Sequence, residues 1–263
     1  MAASTLQTSP RPRNRAGLWA RDRLHDGCTL LQLATGPFRR GTHEERLERF
    51  YRPQAEHYDQ FRSRLLHGRE ELFAALPIRD GGVLVDLGAG TCASLEFLAD
   101  RMPRLERFVA VDLADSLLAI GRDRCRTHGW RNVEFIRGDA ASVTLPAGRA
   151  ADVVTFSYSL TMMPDWRAAI DRAHALLAPG GVVGVVDFYV ARQRPLPGWA
   201  EHSWLTRRGW PRWFALTQVC LHPEHLPTLA SRFETVLRVE SSAPVPYLPG
   251  PRVPCYRFIG RKV

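Results

Sequence analysis

With 263 residues and 45% hydrophobic composition, the chain is long enough for one large globular domain with extensions. A formal charge of +9 fits an anionic partner such as nucleic acid or a membrane surface, but Lys262 is the only lysine and the arginines are scattered, as a biased genome also gives. Cys28, Cys92, Cys125, Cys220 and Cys255 form no C-x-x-C pair, which speaks for reduced thiols in a cytosolic protein and against zinc or any other metal site. No apolar run reaches the ~20 residues of a bilayer span, so a soluble or at most peripheral protein is expected.

Residues 1–42, rich in Arg, Pro, Ser and Gly, read as an extension of low order. From Thr42 the pattern turns helical: Thr42-His-Glu-Glu45 has the spacing of a capping box. Leu47, Phe50 and Tyr51, then Tyr58, Phe61, Leu65, Leu72 and Phe73, keep an apolar face to Pro77. Helices over 43–77 therefore precede the first strand.

Val83-Leu-Val-Asp-Leu87 reads as that strand, and Gly88-Ala-Gly90 as the turn into a helix from Cys92. Gly88, Gly90 and Ala93 satisfy the loose dinucleotide fingerprint. Asp86 argues otherwise, because a carboxylate at this turn repels a pyrophosphate. S-adenosylmethionine carries no phosphate and presents an ammonium group. Asp86 as a mere cap of the turn is the blander alternative.

Phe108-Val-Ala-Val-Asp112 is the second strand, and its terminal acid suits ribose hydroxyls, or else a cap for a helix near Ser116. Val133–Asp139 is the third, ending in Gly138-Asp-Ala140, where a loop aspartate gains meaning only as the third strand-terminal acid after Asp86 and Asp112. Ala151–Ser157 is the fourth, from which Tyr158-Ser-Leu-Thr-Met-Met-Pro164 leaves at the ligand edge. An amphipathic helix from Trp166 to Leu177 and a turn at Ala178-Pro-Gly-Gly181 lead to a fifth strand, Val182–Val190.

Residues 191–232 form a long insertion with four of the seven tryptophans (Trp199, Trp204, Trp210, Trp213) interleaved with Arg207, Arg208 and Arg212. Two readings stay open: rings and guanidinium groups at a bilayer interface, or a cap whose tryptophans pack on the sheet. Phe233–Val239 and Val253–Ile259 complete seven strands, joined by a Pro-rich connector over 243–254.

Acid-x-Gly-x-Gly at Asp86–Gly90 resembles the first motif of the class I S-adenosylmethionine-dependent methyltransferases. The resemblance implies an α/β fold: a seven-stranded, mostly parallel, Rossmann-like sheet with helices on both faces and an antiparallel last strand. It implies a methyltransferase domain over 43–263, with lid helices at 43–77, and S-adenosyl-L-methionine held by Tyr58, Asp86, Gly88, Ala89, Gly90, Asp112, Leu113, Asp139, Ala140 and Ser157. Cys92 stands where many relatives have a third glycine, which tightens the room under the methionyl part.

Phe50-Tyr-Arg-Pro-Gln-Ala55, Thr155-Phe-Ser-Tyr-Ser-Leu-Thr-Met162, Gly184–Val190 and Val245-Pro-Tyr-Leu-Pro249 make the chain similar to the betaine-lipid N-methyltransferases. That similarity implies methylation of the amine of diacylglyceryl-homoserine, with a carboxyaminopropyl transferase as pathway partner. Tyr158 and Asp187, then Tyr51 and His202, are the candidates to orient the amine, each with a structural alternative. Phosphatidylethanolamine or a soluble amine as acceptor, an RNA methyltransferase and a non-catalytic cofactor-binding protein remain as other readings. Nucleic acid is disfavoured, since Ser157-Tyr-Ser-Leu160 replaces the Asn/Asp-Pro-Pro-aromatic motif of base-modifying enzymes.

Overall fold

Short apolar runs, buried on both sides, build the centre of the molecule. Val83–Leu87 (β1) is buried at every position, and Arg107–Asp112 (β2) and Ala151–Ser157 (β4) through their middles. With Val133–Arg137 (β3), Leu177–Phe188 (β5), Glu234–Val245 (β6) and Leu248–Arg261 (β7) they form one sheet in the order β3-β2-β1-β4-β5-β7-β6. β1 to β5 run parallel, and β7 lies antiparallel between β5 and β6. The computed structural model describes Thr42, Glu45, Glu48 and residues 64–146, 149–246 and 248–263.

Side chains alternate across a strand, so each central strand feeds two cores. Leu84, Phe108, Val153 and Val186 meet Leu72 and Phe73 of Arg69–Ala75 (α1), Leu118 of Asp115–His128 (α2) and Phe214 of Trp204–Ala215 (α4). Val85, Val109, Val154 and Val185 meet Trp166–Leu176 (α3) and His225–Arg232 (α5) on the other face. In α3 the buried Trp166, Ala169, Ile170 and Ala173 follow the helical period, and Asp165 caps its start by accepting from the Ala168 amide. Parallel strands with helices on both faces leave one edge, at the strand C-termini, open to a ligand.

The Thr42–Glu45 capping box is present: the Glu45 amide donates to Thr42 Oγ1 at 3.2 Å and the Thr42 amide to Glu45 Oε2 at 2.9 Å. Three expectations need correction. The segment after the glycine turn is a 3-10 helix, Ala93–Leu98, entered from Cys92 in the left-handed region at φ 54. The fifth strand starts at Leu177: Ala178–Gly181 bulges against Asp152, and Gly180 bonds to the Lys262 carbonyl. The Pro-rich connector is mostly strand, pairing Ser242 with Pro254 and Pro244 with Arg252. Proline is tolerated there because β6 is an edge strand and β5 stops pairing with β7 at Cys255, so no ladder donor is required at Pro254. The expected extension to residue 41, and Tyr51 and Tyr58, lie outside the described residues.

Candidate active site

The turn after β1 is held from below by its neighbours. The Gly88 and Ala89 amides donate to the Val111 carbonyl at 2.8 and 2.9 Å. The Gly90 amide donates to Asp112 Oδ2 at 2.8 Å, and Ala114 to Asp112 Oδ1 at 2.9 Å. The acid ending β2 thus fixes both the glycine turn and the entry to α2. Gly88 takes φ 80, and a Cβ there would lie 2.4 Å from that of Ser159, whose hydroxyl donates to the Leu87 carbonyl. Only glycine fits that crossing of β1 and β4 ends.

Above this turn lies a cavity of about 200 Å³. Gly88, Gly90, Val111, Asp112, Leu113, Leu117, Gly138, Asp139, Ala140, Tyr158, Ser159, Met162, Met163, Pro164 and Asp165 line it. Of the residues expected from sequence, Gly88, Gly90, Asp112, Leu113, Asp139, Ala140 and Tyr158 are therefore brought together. Sequence reasoning did not assign Val111, Leu117, Gly138, Ser159 or the wall from Met162 to Asp165. The string leaving β4 marked where that wall would be, but nothing in its composition marked it as lining.

Other expected residues are placed elsewhere. Asp86 is 1% exposed and off the cavity wall, its oxygens accepting from Ser94 and Thr155 hydroxyls at 2.8 Å each. Burial raises its carboxyl above the ordinary value, against the pull of those hydrogen bonds and of Arg69. It ties β1, β4 and the 3-10 helix together under the turn. Ala89 packs against the first core, and the Ser157 hydroxyl accepts from Arg69 Nε at 3.0 Å.

Among the residues expected to orient an acceptor, Asp187 and His202 do not line the cavity. Asp187 is fully buried and accepts from the Thr161 hydroxyl and amide and from its own neighbour's amide at Phe188. Its position holds the loop that carries Ser159, Met162 and Met163. His202 Nδ1 accepts from the Ala191 amide at 2.9 Å, inside the 191–232 segment. Tyr158 does line the cavity, at φ 57, a costly backbone state for a bulky residue. Its hydroxyl donates to the His67 carbonyl at 2.6 Å, and burial pushes the phenol well above its usual range. It is a neutral strut, unsuited to take a proton.

The lining carries three carboxylates, Asp112, Asp139 and Asp165, and no Lys, Arg or His side chain among the described residues. Such a cavity repels a pyrophosphate and attracts a cation. Residues 84–181 match the family model described as a methyltransferase domain. These residues form an S-adenosylmethionine-dependent methyltransferase domain, set in a sheet of Rossmann-like methyltransferase fold. A demethylmenaquinone methyltransferase of Geobacillus stearothermophilus is 25% identical over 191 residues, covering 63% of this chain and 81% of that protein. Phosphoethanolamine N-methyltransferase 2 of Haemonchus contortus shares the fold with a TM-score of 0.64 at 15% identity, over 86% of this chain and 62% of that chain. A methyltransferase of Aquifex aeolicus does so at 0.57 and 14%, over 80% and 98%.

The cofactor is S-adenosylmethionine, which supplies a methyl group on a positively charged sulfur. The methyltransferase site fits it. Among the described residues, a Cβ on Gly90 would meet no heavy atom nearer than 3.9 Å, which leaves room beside this turn for a ligand to approach the backbone. Asp112, oriented by two amides, suits ribose hydroxyls. Asp139, at the end of β3, suits an adenine amino group, and Leu117, Met162 and Met163 give apolar walls.

Proposed function

We propose that this methyltransferase acts on the amine of a lipid headgroup, with diacylglyceryl-homoserine as acceptor and the trimethyl betaine lipid as product. The observation that carries this reading is the make-up of the cavity. Carboxylates without a cationic side chain attract an ammonium as well as a sulfonium, and Met162, Met163 and Pro164 accept apolar surface beside Asp165. The sequence similarity to betaine-lipid N-methyltransferases supports the choice of acceptor. A carboxyaminopropyl transferase is then the enzyme that supplies it.

In the reaction the amine nitrogen forms a bond to the methyl carbon as the carbon–sulfur bond breaks, its electron pair staying on sulfur. Before attack the ammonium loses a proton, and Asp165, an exposed carboxylate of the lining next to Met163 and Pro164, takes it directly or through water. Burial of the cavity floor and fixed walls supply alignment, which such a displacement needs more than a strong base.

A second reading is methylation of a ring carbon on a lipid quinone, favoured by the demethylmenaquinone methyltransferases among the relatives. Labelled S-adenosylmethionine with diacylglyceryl-homoserine, phosphatidylethanolamine and demethylmenaquinone in parallel mixed micelles separates the two. Label in mono-, di- and trimethyl homoserine lipid alone is the expected result. Label in the quinone alone overturns the amine reading.

A further inference from the structure

α4 is apolar on two sides, which a helix packed on a soluble domain is not. Its inner side is spent on the core: Trp210, Trp213 and Phe214 pack with ring centroids 4.8 to 5.9 Å apart. Phe214 lies 4.9 Å from Phe188, and Trp210 Nε1 donates to the Arg252 carbonyl at 3.0 Å. Its outer side carries Trp204 at 62% exposure, Leu205 at 73% and Leu216 at 55%. Arg208 and Arg212, both exposed, stand between them one helical turn apart. Neither arginine is in an ion pair among the described residues, and from His202 to Pro223 the chain has no acidic residue.

We propose that the outer face of α4 docks on an anionic bilayer surface. Trp204, Leu205 and Leu216 enter the headgroup region, where an indole gains apolar contact and keeps its N–H wet. Arg208 and Arg212 meet lipid phosphates. A second copy of this chain is the weaker occupant, because two such faces would bring four arginines together with no acid from either helix. The helix leans on the cavity wall through Phe214, Phe188 and Tyr158, the last pair 4.6 Å apart, so docking sets the methyltransferase cavity beside the interface. This inference does not depend on which acceptor is methylated.

The test is co-sedimentation of the full chain with vesicles of phosphatidylcholine containing one-third phosphatidylglycerol, against phosphatidylcholine alone. Neither lipid has a free amine, so a wrong acceptor assignment leaves the result untouched. R208Q/R212Q is expected to weaken binding to anionic vesicles roughly 30-fold, from about fivefold per arginine. W204S/L205S is expected to weaken it at least about tenfold. Both variants should keep S-adenosylmethionine affinity, which shows that they fold. Absence of anionic-vesicle binding, or binding that both variants retain, overturns the proposal. So does a dimer in light scattering that W204S/L205S abolishes, since the face then belongs between copies.

Discussion

The cavity edge of the sheet and the 191–232 segment carry opposite charge. The cavity lining has three aspartates and no cationic side chain among the described residues, while residues 191–232 hold six arginines against two glutamates. The overall +9 describes neither region. Ligand choice follows from local charge at short range, because solvent and salt screen the rest beyond about 10 Å. A basic chain therefore holds a cationic cofactor without contradiction.

Asp112→Asn gives the largest expected break in that comparison. Each oxygen of Asp112 accepts from a backbone amide, so an asparagine nitrogen must face a donor. Hydrogen bonds to a charged group are worth about 1.5–3 kcal/mol. Calorimetry should show S-adenosylmethionine affinity falling about 100-fold, while R208Q/R212Q leaves it unchanged. A fall under about fivefold would mean that the carboxylate only braces the turn.

The two regions should also part on acidification. His202, His222 and His225 in the 191–232 segment all have their basicity lowered, first by burial. His225 is the extreme case: fully buried beside Trp166, both ring nitrogens without a partner among the described residues, and pushed down to about 3. The folded value lies below the unfolded one, so between about 6.5 and about 3 the unfolded chain binds a proton that the folded chain refuses. The neutral ring's stability is whole above 6.5 and is lost as pH falls through that window. At pH 5 the loss from this one ring is about 2 kcal/mol. In urea unfolding, the advantage of His225→Phe over the parent should be larger at pH 5 than at pH 7.5 by about that amount. An equal difference at both values would show that the ring is hydrated.

Much of this was legible in the sequence because it is local. The strands β1 to β4 follow from apolar runs ending in an acid or at a ligand-edge serine, and α3 from its helical period. Asp112 and Asp139 were readable because a strand end in a parallel sheet has one place to go. What escaped depends on contacts across the chain. Nothing near Asp86 in sequence says that Thr155, 69 positions on, will bind it, or that Asp187 will seize the Thr161 amide. The proline-bearing hairpin of β6 and β7 looked like a connector, since proline's tolerance depends on which strand edges are free.

Cys92 gives the smallest effect and the finest test of how the cavity floor is built. The residue sits at φ 54 and ψ 31, where glycine is ordinarily found and where a side chain costs about 1 kcal/mol. Its thiol does not crowd the cavity, contrary to expectation: a Cβ on Gly121 of α2 would lie 2.8 Å from Cys92 Sγ, so the sulfur packs down onto that helix. Burial there keeps the thiol protonated. Cys92→Gly would relieve the backbone, lose buried contact worth about 1 kcal/mol and give the unfolded chain about 0.5–1 kcal/mol more entropy. Urea unfolding should show a net loss under about 1 kcal/mol, with cofactor affinity unchanged. A tenfold gain in affinity would instead place the sulfur against the cofactor, and would mean that the turn, not α2, receives it.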